Sequence, residues 1–156
     1  INRVYGSSLI HKHRVIKKSY SEDENFYSIT AGHDGYEKKF GYIHTRSIRI
    51  SKKEDKIFGY DELKKTKNYS NLLNYFIRFH VYPNTKIVKT TAGNSILISL
   101  SNGEGWSLIS EGNNFSIEKN IFFGNKSRIL NNESISMSGK IIGEVVSIKW
   151  VIEKIS

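Results

Sequence analysis

The sequence predicts an all-β fold, an antiparallel β-sandwich, and three observations carry that expectation. Apolar and polar residues alternate with period two in several stretches, which is the pattern of strands that set one face on a core. Gly and Asn signals recur between these stretches, and both residues tolerate the positive φ that tight hairpins require. The chain has 156 residues and no cysteine. That is one domain's worth of sequence, enough to bury a core without staples, and it excludes disulfides and thiolate metal sites.

The elements follow in order. From Phe26 to Ala31, Tyr27, Ile29 and Ala31 fall on one side and Ser28 and Thr30 on the other, so the odd face is expected on the core. From Tyr42 to Ile50, Tyr42, His44, Arg46, Ile48 and Ile50 share a face. The stretch from Asp61 to Leu73 is lysine- and asparagine-rich and reads as a long polar connection. Tyr75, Ile77, Phe79 and Val81 form the apolar face of the next strand, and Pro83 follows where its missing N–H costs no ladder bond. Ile96, Ile98 and Leu100 oppose Ser95 and Ser99, and Gly103-Glu104-Gly105-Trp106 reads as a turn entering a strand with Trp106 in the core. Val146, Ile148, Trp150 and Ile152 mark a long final strand. Turns are expected at Gly93-Asn94, Asn102-Gly103, Gly112-Asn113, Gly124-Asn125, Asn131-Asn132 and Gly139-Lys140, a cadence that suits a sandwich or barrel.

Composition narrows the function classes. The formal net charge is +9, which suits a polyanionic partner such as nucleic acid, an anionic glycan or an anionic membrane; the plainer reading is a genome rich in A and T, which raises Lys, Asn and Ile together. The basic pairs Lys17-Lys18, Lys38-Lys39, Lys52-Lys53 and Lys64-Lys65 are scattered rather than gathered on one arm or helix face, which argues against nucleic acid. No apolar run reaches membrane-spanning length, so no membrane partner is expected. The sequence carries no Gly-x-Ser-x-Gly elbow, phosphate loop, dinucleotide glycine motif or His-Glu-x-x-His.

Two strand faces concentrate chemistry. His44 and Arg46 project from the same side as two isoleucines, and a charge there needs a partner or a wet groove; Asp34 and Asp61 are the nearest acidic candidates. The plainer reading is a strand end overhanging into solvent. On the strand from Tyr75 to Tyr82, the even positions are Phe76, Arg78, His80 and Tyr82. Flat rings stack on sugar faces, and Arg offers a two-pronged donor to carboxylate or sulfate. An Arg snorkelling between packed rings is the structural alternative. Together with His33, Asp34 and Tyr36 in the His33-Asp34-Gly35-Tyr36 turn, these residues are the candidate glycan-binding set, and Arg46, Arg78, His44 and His80 are expected to line one shared groove. His33, His44 and His80 with Asp34 or Asp61 contain the ligand types of a metal site, but their spacing has no signature value, and no metal or cofactor is predicted. His11 and His13 share a strand face without an obvious third ligand.

The ordered series His33-Asp34-Gly35-Tyr36, Phe40-Gly41, His44-Thr45-Arg46, Gly59-Tyr60-Asp61, Arg78-Phe79-His80, Pro83 and Gly103-Glu104-Gly105-Trp106 resembles the C-terminal β-sandwich of heparinase II/III-like proteins. The resemblance runs from about Tyr27 to the end. It implies a bacterial protein, periplasmic or cytoplasmic, in which an N-terminal α/α toroid precedes the sandwich. It implies a polysaccharide lyase that cleaves uronic-acid-containing glycans by β-elimination. In that reaction Asn, Arg or His neutralises the uronate carboxylate, Tyr or His removes the C5 proton, and Tyr protonates the leaving oxygen.

The family's catalytic Asn and Tyr belong to the toroid, and its sandwich histidine and a divalent-metal His/Asp set are expected before Ile1. No catalytic residue is therefore carried over. Residues 1–156 are expected to be one sandwich domain of a longer chain, partnered by the missing toroid and an anionic polysaccharide, and inactive alone. A non-catalytic carbohydrate-binding or structural sandwich is the alternative.

Overall fold

The computed structural model describes residues 13–68, 72–110, 112, 114–123 and 129–156. In chain order the elements are β1 (Val15–Glu22), β2 (Phe26–His33), α1 (Glu37–Phe40), β3 (Tyr42–Ser51), β4 (Lys56–Lys65) and β5 (Leu73–His80). There follow β6 (Lys86–Lys89), β7 (Ser95–Ser99), β8 (Gly105–Ile109), β9 (Asn114–Phe123), β10 (Ile129–Ile141) and β11 (Val145–Lys154). The expected Gly124-Asn125 turn and His11 lie outside the described residues.

The strands form two antiparallel sheets, as the alternation and turn spacing predict. An eight-stranded sheet runs β1-β2-β3-β4-β11-β8-β7-β6, and a three-stranded sheet runs β5-β10-β9. The core lies between them. Ile77, Phe115, Ile135 and Met137 of the small sheet meet Ile87, Ile96, Leu108, Ile148 and Trp150 of the large one. The faces predicted for β5, β7 and β11 are the faces that pack. Phe79 and Trp150 cross the sandwich edge to face, with centroids 5.0 Å apart.

The two sheets are unequal in width, and this overturns one expectation. Tyr27 and Ile29 are 42% and 52% exposed. They lie on the same face as the core residues of the large sheet, but the three-stranded sheet does not extend over β1 and β2. Alternation identifies the face correctly and the burial wrongly, because burial depends on a distant strand count.

Three further expectations change. The polar connection from Asp61 begins five residues inside a strand, since β4 runs through Lys65. Its outward lysines hide an inward row of Ile57, Gly59, Asp61 and Leu63. Asn131-Asn132 and Gly139-Lys140 are strand positions of β10 rather than turns. The chain reverses at Gly143, φ +88°, while Gly139 leaves room for the Tyr75 ring. Trp106 is only half-buried, with its indole N–H donated to Glu104 Oε2 at 3.3 Å. The fully embedded tryptophan is Trp150.

Gly59 lies opposite both Ile48 on β3 and Trp150 on β11. A Cβ at Gly59 would collide with the indole of Trp150, so glycine is required there by close approach. Gly59→Ala is expected to cost about 1–3 kcal/mol or more through overpacking. An unchanged urea midpoint for that variant would show that Trp150 is not seated on β4.

Candidate functional site

One cation-lined cavity of about 420 Å³ opens where the small sheet ends. It lies between the β5 edge and the inward face of β3 and β4, with Tyr36 and Phe40 of the α1 turn beside it. Apolar residues including Leu63, Leu73, Tyr75, Ile77 and Ile148 form part of its lining, and His33, His44, Arg46, Asp61 and Arg78 bring charge and proton-binding groups to it.

Strand register assembles the polar part. His33 on β2 pairs with His44 on β3, and Arg46 on β3 pairs with Asp61 on β4. Asp61 pairs with Ile148 on β11, which sets Trp150 on the neighbouring inward position. Four adjacent strands thus contribute to one hydrogen-bonded group. Asp61 is 1% exposed, and both of its oxygens are occupied. Oδ1 accepts from Arg46 Nε at 2.7 Å and contacts His44 Nε2 at 2.7 Å, and Oδ2 accepts from Trp150 Nε1 at 2.9 Å. Burial pushes the Asp61 carboxyl up, but the bonds from His44, Arg46 and Trp150 and the Arg46 charge outweigh it, so it stays below its ordinary range.

The network continues outward. His44 Nδ1 lies 3.2 Å from His33 Nε2, and the Gly35 amide donates to His33 Nδ1 at 3.0 Å. Tyr36 stacks edge-on against His33 with centroids 5.1 Å apart. Burial, with His44 and His13 nearby, lowers the His33 pKa from its ordinary value. The Arg46 guanidinium also sits over the Trp150 ring at 5.9 Å, which fixes its plane. Its Nε is committed to Asp61, and it brings a fork of donors to the cavity wall.

Of the sequence-predicted residues, His33, Tyr36, His44, Arg46 and Arg78 line this cavity together. Asp34 instead accepts from the Arg14 backbone at 2.8 Å and side chain at 3.0 Å, fastening the segment before β1. His80 and Tyr82 do not line the cavity. His80 Nδ1 lies 2.7 Å from Asn120 Nδ2, and Tyr82 packs against Phe122, both on the outer face of the small sheet. Of that face Phe76 and Arg78 reach the cavity, because β5 is the sheet edge; the Arg78 Nε also pairs with Glu118 at 3.2 Å. The groove expected to include His80 therefore contains Arg46, Arg78 and His44 without it.

The sequence reading names Asp61 as a possible partner of Arg46 but misses its centrality, and it treats Trp150 only as core. A single acid in the Ile57-x-Gly59-x-Asp61-x-Leu63 alternation is the signal that finds it. The residues do not fit a divalent cation as arranged. The imidazole nitrogens face each other and Asp61 rather than a common centre, and Arg46 puts its own positive charge on the carboxylate oxygen a metal would need. Among the described residues, no group of three or more His, Cys, Asp and Glu side chains is placed to hold a metal ion.

The molecule is thus a lopsided two-sheet sandwich with a cationic cavity at its uncovered end. The chain matches the family described as heparinase II/III-like, C-terminal, over residues 2–151, and it belongs to that family. No curated protein matches it in sequence. Among solved structures, the heparan sulfate lyase HepC from Pedobacter heparinus superposes with a TM-score of 0.75 at 12% identity, over 94% of this chain and 22% of that one. The heparinase III BT4657 gene product gives 0.71 at 15% identity over 92% and 22%. A further heparinase III structure gives 0.66 at 12% identity over 92% and 21%. These likenesses establish the shared fold, and the chain spans about a fifth of the length of those relatives.

Asp61 supplies the site's main stability link. Its folded pKa lies below the unfolded value, so its contribution is fully present above about pH 4 and is lost as pH falls through the depressed folded value. Removing the charge leaves Arg46 and Trp150 short of their acceptor. Asp61→Asn is expected to lose about 3–5 kcal/mol and to flatten the acid limb of a stability-versus-pH curve. Wild-type stability in that variant, or an acid limb as steep as wild type's, would refute the role assigned to Asp61.

Proposed function

We propose that this chain is the C-terminal sandwich of a polysaccharide lyase that cleaves uronic-acid-containing glycans by β-elimination, and that its cavity holds an anionic group of the sugar chain. The observation that carries this reading is the pairing of family membership with a cavity whose wall presents two guanidinium groups, Arg46 and Arg78, beside two imidazoles. The solved relatives named as a heparan sulfate lyase and as heparinases point to the same ligand class. The C5 proton of a uronate becomes acidic only when the neighbouring carboxylate is neutralised, and a fixed guanidinium does that.

The reading assigns this chain a binding part rather than the whole reaction. The described ring nitrogens of the cavity imidazoles face protein atoms: His33 uses Gly35 and His44, and His44 uses His33 and Asp61. Neither is free to take a proton from substrate without leaving its partners. The base and acid are therefore assigned to the remainder of the longer protein, an N-terminal toroid. Tyr20, Tyr27, Ile29 and Ile50 are exposed apolar residues on the same face of the large sheet as His33, His44 and Arg46, and that patch is where the toroid is placed in this reading. Exposed patches of this kind mark interaction surfaces.

Titration of the chain with a heparan sulfate tetrasaccharide tests the proposal. Arg78→Ala is expected to weaken binding about fivefold, the worth of one exposed charge contact. Unchanged affinity in a folded Arg78→Ala chain removes Arg78 from the ligand. The chain alone is expected to give no rise in ultraviolet absorbance from unsaturated uronate products. Turnover without a toroid would mean that the active site is misassigned.

A further inference from the structure

The hydrogen-bond directions at the cavity are fixed by its two ends. At one end the Gly35 amide can only donate, so His33 Nδ1 must be the bare nitrogen (3.0 Å). A neutral His33 then carries its proton on Nε2 and donates it to His44 Nδ1, 3.2 Å away. A neutral His44 carries its proton on Nε2 and donates it to Asp61 Oδ1, 2.7 Å away. At the far end the ionised carboxylate can only accept. With both rings neutral, each of their nitrogens has a matched partner.

One added proton breaks this order at a definite place. If it lands on His33, Nδ1–H confronts the Gly35 N–H. If it lands on His44, Nδ1–H points at His33 Nε2, which must give up its proton; His33 then carries Nδ1–H and again confronts Gly35. Either route costs the Gly35 bond and loosens the turn that carries Tyr36 against His33. A second proton is excluded while the rings stay in contact, because two N–H donors would then face each other across 3.2 Å.

We propose that the His33–His44 pair is a one-proton switch for this cavity, and that an anionic sugar group bound beside Arg46 draws that proton in. The inference rests on the glycan reading above for its ligand, a carboxylate or sulfate carried on a uronate-containing chain. Without an anion, burial and the neighbouring His44 and His13 disfavour a charge on His33, and a proton added to either ring costs the Gly35 bond. A bound anion offsets those costs, so binding and proton uptake reinforce each other. By linkage, affinity rises as pH falls through the pair's titration, and the Tyr36 turn is released in the same step.

The surrounding charges leave this sign unchanged. His13 and the Arg14-paired Asp34 face His33 from the segment leading into β1. Tyr36 faces both rings from the α1 turn, Asp61 and Arg46 flank His44, and Arg78 lies across the cavity on β5. Asp34 is paired with Arg14 and Asp61 with Arg46 before any ligand arrives. The bound anion is therefore the one new negative charge the pair meets.

Calorimetric titration of the 156-residue chain with a heparan sulfate tetrasaccharide, in buffers of different ionisation enthalpy, counts the proton. NMR of the imidazole nitrogens and the Gly35 amide between about pH 5 and 8 reads the switch without ligand. The expected result is uptake approaching one proton per complex. Affinity should fall by up to about tenfold per pH unit above the titration. Without ligand, a single shared protonation of the two rings should coincide with loss of Gly35 amide protection. His33→Gln should abolish the uptake; should that variant not fold, the wild-type proton count decides alone. Binding with no proton uptake, or two rings titrating independently under a protected Gly35 amide, overturns the switch and leaves the glycan reading standing. Failure of the tetrasaccharide to bind at any pH overturns both.

Discussion

Asp61 is a carboxylate with essentially no contact with water, and the polar end of this molecule is organised around satisfying it. A lone ion in that position is too costly to keep; the group would be neutral or the strand would not pack. Three donors from two strands meet the requirement: His44 and Arg46 on β3 and Trp150 on β11. Each is thereby oriented. Arg46 is turned so that its fork borders the cavity, His44 is turned so that its other nitrogen faces His33, and Trp150 is held with its ring between Phe79 and Arg46. One buried charge therefore links the hydrophobic core to the polar wall. The absence of a side chain at Gly59 lets the indole come close enough to complete the link.

The unequal width of the sheets decides where that wall meets solvent. Eight strands face three, so the inward face of the large sheet is core at one end and open at the other. The change falls near β3 and β4, where the β5 edge ends. Residues at that boundary are partly dry, which strengthens their electrostatic interactions, and still reachable by a ligand. The same face carries Ile148 and Trp150 under the small sheet, His44 and Arg46 at the boundary, and Tyr27 and Ile29 beyond it. Core, cavity and exposed patch are three environments along one continuous surface.

This geometry explains what could be read from the sequence. The face of β3 with His44 and Arg46, the apolar faces of β5, β7 and β11, and the pairing of Arg46 with one of two acids follow from period two and charge cost alone. The exposure of Tyr27 and Ile29 does not follow, because no local pattern states how many strands the opposing sheet has. Gly139 looked like a turn because glycine serves both reversal and close approach, and only the Tyr75 ring distinguishes the two. Asp61 was hidden by its neighbours. Lys64, Lys65 and Lys67 suggest a solvated connection, whereas the inward row from Ile57 to Leu63 is apolar except for the one acid. His80 follows Arg78 by two residues and shares its strand face, yet it is drawn to Asn120. Membership of a cavity at a sheet edge depends on side-chain reach, which alternation does not encode.

The closed hydrogen-bond chain also bears on how labour is divided in the proposed lyase. A general base needs a bare nitrogen or oxygen aimed at the substrate. Here the two imidazoles nearest the cavity spend both nitrogens on the protein, and the only carboxylate at the group's centre is shielded from solvent and held ionised by its donors. What the wall offers an incoming sugar is fixed positive charge from Arg46 and Arg78, with phenol hydroxyls and ring faces from Tyr36 and Tyr75. The two guanidinium groups position and neutralise an anion; being permanently protonated, they do not abstract a proton from carbon. In the proposed reading the sandwich makes the C5 proton acidic, and the base is assigned to the remainder of the longer protein. The exposed apolar residues Tyr20, Tyr27, Ile29 and Ile50, on the same sheet face as the cavity wall, are where that remainder is placed in the same reading.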